Sequence, residues 1–265
     1  DEGRRFVKRE VLVAHARTSI ARGSKSFAMA SKLFDPATRE RTWLLYGWCR
    51  RCDDIADGQD HGGTLGPVED APARLTEMRA LTEAALRAEE TGDPAFDGLG
   101  VVARECNIPH RFAHDVIEGF ALDAAGWRPQ TTDDLLRYCY HVAGAVGLMM
   151  AVVMGVSPED EAVLDRACDL GLAFQLANIA RDVAEDAAAG RCYIPGDWLA
   201  QMNMGADTLL APESRIKMAQ LGQRLADMAQ HYEASARHGT PALSLRSAWA
   251  VLAAAGIYGD IAREV

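Results

Sequence analysis

The chain has 265 residues, 49% of them apolar, and a formal net charge of −10 at pH 7, which describes a globular protein able to bury a large core. That acidic balance excludes the basic face of a nucleic-acid binder and gives no general pull toward anionic membranes. An acidic ligand would need local Arg, Lys or metal cations to reverse the field.

The opening DEGRRFVKRE has no apolar core suited to a signal peptide. From there on, apolar residues recur at three- and four-residue spacing without strand-like alternation, which predicts helices over about 6–20, 37–57, 70–90, 94–106, 110–123, 132–155, 158–187, 212–236 and 242–263. Breakers separate them, among them Asp35-Pro36, Gly62-Gly63, Asp93-Pro94, Ser157-Pro158 and Thr240-Pro241. DGQDHGGTLGPVEDAP (57–72) reads as a loop, and Ser157 reads as the cap of a helix beginning at Pro158. VAGAVGLMMAVVMGV (142–156) falls short of the roughly 18 residues of a spanning helix and reads as buried, with Gly144 and Gly147 admitting a close neighbour. Residues 1–265 are expected to form one all-α domain. Cys49, Cys52, Cys106, Cys139, Cys168 and Cys192 are expected to be free thiols in a reducing, cytoplasmic setting. CRRC at 49–52 lacks the second Cys/His pair of a zinc site.

Two acidic ladders stand out. Asp53 and Asp57 fall one turn apart near the end of the 37–57 helix, about 6 Å along its axis. Like charges at that spacing cost a few tenths of a kcal/mol, and the helix C-terminus disfavours anions; a divalent cation relieves both penalties. Asn178, Asp182 and Asp186 form a second ladder, and Leu172, Leu176, Ile179 and Val183 supply the buried side of the same helix. Asp54 and Glu185 point elsewhere. Oxygen ligands without a His/Cys cage suit Mg²⁺ or Mn²⁺. Either ladder alone could be a solvated helix face, but Arg50, Arg51, Arg181 and Arg191 cluster around the pair, and acids with arginines describe a site for metal-bridged phosphate.

GSKSFAMASKLF (23–34), YGWCRRCDDIAD (46–57), EGFALD (118–123), YCYHVAGAVGLM (138–149) and GLAFQLANIARDVAEDAAAGRCYIP (171–195) resemble the squalene/phytoene synthase family, its bacterial phytoene-synthase members most closely, over nearly the whole chain. The resemblance implies an α-helical isoprenoid-synthase bundle around a central cavity, with the family's DxxxD at Asp53 and Asp57 and its NxxxDxxxD at Asn178, Asp182 and Asp186 holding Mg²⁺ against prenyl diphosphates. It places Ser26, Phe27, Tyr46, Arg50, Tyr138, Gln175 and Arg181 at positions that line the site, and offers Tyr140 or released diphosphate as proton acceptor. The implied reaction joins two geranylgeranyl diphosphates into phytoene through a cyclopropyl diphosphate, inside an apolar cavity that excludes water.

Gly23 departs from the family's His, and His141 from a second Tyr, where a neutral polar residue of the cavity wall is expected. The family's further C-terminal helices would make a chain ending at Val265 a shortened one. Rival readings are a squalene or dehydrosqualene synthase acting on C15 diphosphates, a single-substrate terpene cyclase, and a non-catalytic helical assembly module. Contact with a membrane surface and the oligomeric state stay open.

Overall fold

The computed structural model describes residues 8–58 and 70–264, excepting the side chains of 257, 258 and 260–264, and among these residues there is no strand. Helices follow one another as Arg9–Gly23 (α1), Lys25–Ser31 (α2), Pro36–Asp57 (α3), Ala71–Leu86 (α4), Pro94–Cys106 (α5), His110–Ala124 (α6), Thr132–Cys139 (α7), Ala145–Val153 (α8), Glu161–Ala188 (α9), Gly196–Gln201 (α10), Arg215–Arg237 (α11) and Leu245–Glu264 (α12). Most of the loop expected at 57–72 lies outside the described residues.

Local chemistry explains the ends. Asp35 accepts hydrogen bonds from the backbone of Ala37 and Thr38, with Pro36 in the first turn of α3. Thr131 and Asp134 form a reciprocal capping box on α7. The helix expected from Pro158 begins instead at Glu161, because Asp160 accepts from the Val163 backbone while the Ser157 hydroxyl turns to the Glu159 carboxylate. The α4 helix stops at Leu86, short of residue 90: Ala88 takes φ of 60°, and its N–H returns to the Ala85 carbonyl at 2.9 Å. Helix α2 went unread because it has only seven residues, started by the Ser24 hydroxyl accepting from the Phe27 N–H.

Two apolar clusters organise the packing. Leu12, Leu44, Trp48, Phe96, Leu99, Phe112 and Met149 centre the first, which joins α1, α3, α5, α6 and α8. Leu135, Leu176, Trp198, Leu221 and Leu225 centre the second, on α7, α9, α10 and α11. Tyr140 and Cys168 touch both. All six cysteines are free thiols.

The 138–154 wall is not one regular helix. Tyr140–Gly144 form a π turn, with the Ala145 N–H reaching back to the Tyr140 carbonyl. Tyr138, Val142, Val146, Met150 and Met154 all face one cavity. At about 100° per residue their first and last members would diverge by roughly 160°, and the wider π turn takes up part of that drift. Joined through this turn, Thr132–Val153 is 22 residues long and, by length and composition, apolar enough to cross a membrane; half of its most apolar window is buried inside the protein. The expectation that this region falls short therefore fails, because α7 extends it, while its burial agrees with a core helix.

Close approach of this wall to α9 depends on two glycines. A Cβ at Gly147 would lie 2.4 Å from the Ala167 carbonyl oxygen, and one at Gly171 would lie 2.4 Å from that of Ala143. Gly171→Ala should therefore cost about 1–3 kcal/mol, read as a lower urea midpoint. An unchanged midpoint would show that the helices can part without penalty.

Candidate active site

Helices α2, α3, α6, α9, α11 and α12, with the 138–154 wall, enclose a cavity of about 520 Å³. Its lining is mostly apolar: Phe27, Phe34, Leu45, Phe120, Val146, Met150, Leu170 and Phe174. Carboxylates gather at one end. Asp53 and Asn178, one from each ladder, line that end together with Asp123, Tyr138, Gln175 and Tyr46.

Asp53 is exposed only in the sense that it opens into the cavity. Enclosure among protein atoms pushes its carboxyl up to about 7, against the pull of Arg50 and with further lift from Asp57, Asp54 and Asp123. Asp186 is pushed up to about 6, first by burial and then by Asp182, while Arg191 opposes. The end of α9 explains how Arg191 arrives there. The Gly190 N–H bonds the Ala187 carbonyl and the Arg191 N–H bonds that of Asp186 at 2.8 Å, a Schellman turn that sends the Arg191 guanidinium to Asp57 at 3.5 Å. One arginine thus ties the second ladder's helix to the end of the first.

Asp123 and Tyr193 belong to the same site and escaped the sequence reading. Asp123 closes α6, and its carboxylate accepts from Tyr138 at 3.0 Å and Tyr193 at 2.9 Å. Burial raises its pKa while both hydroxyls and Arg191 lower it. The two tyrosine rings stack at 4.8 Å, and Trp127 stacks on the other side of Tyr138 at 5.8 Å. Tyr193 reaches this place because the chain after α9 pairs with the chain after α6: the Gly196 N–H bonds the Pro129 carbonyl and the Asp197 N–H that of Gln130, both at 3.0 Å. EGFALD and RCYIP mark both residues in sequence, but each is a lone polar side chain with no ladder to flag it.

Several expected site residues stand elsewhere. Arg50 is outside the cavity lining; four residues before Asp54, it pairs with that carboxylate at 2.9 Å, and Asp54 is buried at 3% exposure. Arg181 grips its neighbour Asp182 with two bonds of 2.6 Å. Ser26 is exposed and outside the lining, since α2 turns Phe27, Ala30 and Ser31 inward. Tyr140 is also outside it: its hydroxyl donates to Asp115 at 2.5 Å, and His141 Nδ1 sits 2.9 Å from the Asp115 carbonyl oxygen. The π turn aims both residues at α6, leaving Val142 and Ala143 as wall. A Cβ at Gly23 would meet the Tyr46 hydroxyl at 2.3 Å, so a side chain there requires the end of Tyr46 to shift.

The oxygen donors fit a hard divalent ion. Among the described residues no three His, Cys, Asp or Glu side chains are grouped to hold an ion by themselves. A cation at the ladders would therefore complete its octahedron with water and phosphate oxygens, and it would relieve the charge crowding at Asp53 and Asp186.

An all-α bundle with carboxylates at one end of an apolar cavity is the fold of the helical isoprenoid synthases. It overlays a dehydrosqualene synthase solved in complex with ligand at a TM-score of 0.84, with 27% identity over 95% of this chain and 85% of that one. A squalene synthase from Alicyclobacillus acidocaldarius shares the fold at a TM-score of 0.83, with 23% identity over 97% of this chain and 93% of that one. Residues 20–265 match the squalene/phytoene synthase family model, and the chain belongs to that family. It is 50% identical over 256 residues to a phytoene synthase of Pseudescherichia vulneris, covering 96% of this chain and 82% of that protein. It is 47% identical over 260 residues to a 15-cis-phytoene synthase of Pantoea ananas, at the same coverages.

The tyrosine pair gives a direct check. Tyr193→Phe and Tyr138→Phe should each cost about 1 kcal/mol of stability. The double variant should cost more than their sum, since Asp123 then loses both donors. Additive losses in a urea double-mutant cycle would show that the two hydroxyls do not share the carboxylate.

Proposed function

We propose that this chain condenses two geranylgeranyl diphosphates head to head, through a cyclopropyl diphosphate, to phytoene, the first C40 hydrocarbon of carotenoid biosynthesis. The observation that carries the reading is the meeting of both ladders, through Asp53 and Asn178, at one end of a single apolar cavity. Relatives 47% and 48% identical that are named 15-cis-phytoene synthase support the C20 substrate. The reading takes residues 1–265 as one catalytic domain in the cytoplasm, acting at a membrane surface, where its apolar product can leave.

Asp53, Asp57, Asn178, Asp182 and Asp186 would hold Mg²⁺ or Mn²⁺ bridging to substrate diphosphate. When bound, such ions offset the charge of the departing diphosphate, so that an allylic C–O bond can ionise. Arg191 and Arg181 stand beside the ladders and can turn bidentate donors to the same oxygens. Phe27, Tyr46 and Phe174 line the cavity together, with the Tyr46 and Phe174 centroids 6.3–6.4 Å from that of Phe27, where aromatic rings can stabilise an allylic cation. The double bond of the second substrate attacks that cation, and loss of a proton closes the cyclopropane. A second ionisation, rearrangement and proton loss release phytoene and the second diphosphate. Asp123 holds the Tyr138 hydroxyl at the edge of this chamber. Because the Tyr140 hydroxyl is engaged by Asp115, released diphosphate is the proton acceptor in this scheme. The apolar walls keep water from quenching the cations.

Purified protein with Mg²⁺ and geranylgeranyl diphosphate should give a C40 hydrocarbon detectable by mass spectrometry. Product from farnesyl diphosphate alone would move the assignment to the C15 enzymes. Asp53→Ala and Asp182→Ala should each lower kcat by about a thousandfold or more with the far-UV spectrum unchanged, and retained turnover would remove the ladders from the reaction.

A further inference from the structure

The cavity end remote from the carboxylates contains one arginine. Along α9 the lining runs from Asn178 back through Gln175, Gly171 and Ala167 to Arg166 and Val163, about 22 Å at the helical rise. Near Arg166 the lining includes Met154, Val163, Ala236, Thr240 and Leu243. The Arg166 side chain is 44% exposed, and its head is held away from the apolar residues among them. Its Nη1 donates to the Ser235 hydroxyl on α11 and pairs with Asp169 at 3.2 Å. Ser235 in turn donates to Asp169 at 2.6 Å, closing a three-membered clasp between α9 and α11. The stem is fixed from the other side by Gly239, where an added Cβ would lie 2.6 Å from the Arg166 Cβ. The head is occupied, so the methylene stem is what remains to face the lumen.

We propose that Arg166 is the stop of the prenyl-chain cavity, a specificity-determining residue whose clasped stem sets the longest chain accepted. The inference rests on reading the cavity as a prenyl diphosphate site. A chain one isoprene unit longer must displace the stem, and displacement breaks the bonds to Asp169 and Ser235 together. Chains that end before the stem meet a mostly apolar wall. Truncating Arg166 lengthens the cavity, whereas freeing its head leaves the stem present but movable.

The test uses unreactive thiolodiphosphate analogues with C20 and C25 chains, with binding to the purified full chain measured by calorimetry in Mg²⁺. Arg166→Ala should shift the Kd ratio toward the C25 analogue by about tenfold or more. Ser235→Ala should shift it the same way by about threefold. An unchanged ratio in folded Arg166→Ala overturns the proposal; should that variant not fold, an unchanged ratio in Ser235→Ala does so. Equal affinity of the wild type for both analogues also overturns it. The readout needs no turnover. A wild type that prefers the C20 analogue but forms no phytoene therefore counts against the reaction, and leaves the stop standing on its Kd ratios.

Discussion

Negative charge that the protein does not neutralise by itself is the constraint around which the site is built. Asp53 and Asp123 line one end of the cavity with Asp57, Asp182 and Asp186 nearby, and burial first, then neighbouring carboxylates, raise the carboxyls of Asp53, Asp123 and Asp186. Arg191 offsets part of this at Asp57, and Arg181 offsets part of it at Asp182. A fold selected for stability alone would have dispersed these groups. Their concentration makes sense where cations and an anionic substrate arrive together, because each then lowers the cost of the other.

The rest of the architecture keeps that charged end rigid and the remainder of the cavity dry. Glycines let α9 lie against the 138–154 wall with backbone nearly touching backbone, which fixes how far Asn178 stands from Tyr138. Asp123, gripped by two stacked tyrosines, joins α6 to the chain beyond α9. The wall between these points is mostly apolar, with Ser31 and Thr42 among its few polar side chains.

Much of this was legible in the residues. Helix-spaced apolar positions located the long helices to within a few residues, and of the two ladders read from four-residue spacing, Asp53 and Asn178 line the cavity. What failed did so for identifiable reasons. Arg50 was expected to line the site, but i,i+4 geometry pairs it with Asp54, outside the cavity lining. Tyr140 and His141 sit in a motif that resembles a site segment, and a π turn, which has no signature in composition, aims them at Asp115. Asp123 and Tyr193 are 70 residues apart and acquire their meaning only when two connecting segments pair. Ala88 ends α4 in a left-handed conformation that sequence reserves for glycine or asparagine.

The π turn also changes how this wall tolerates length variation. In a loop, losing one residue shortens a connection. In a regular helix it would twist everything before the loss by about 100° relative to everything after. Between Tyr140 and Gly144, losing one residue would restore regular α-helical bonding, and because the wider π turn rotates less per residue, the two effects nearly cancel. Tyr138 would keep its stack with Tyr193 and Val146 and Met150 would keep their place, while Tyr140 and His141, inside the turn, would lose their aim at Asp115. The wall therefore carries a slack link, a point where its residue count can change by one with its two halves still aligned.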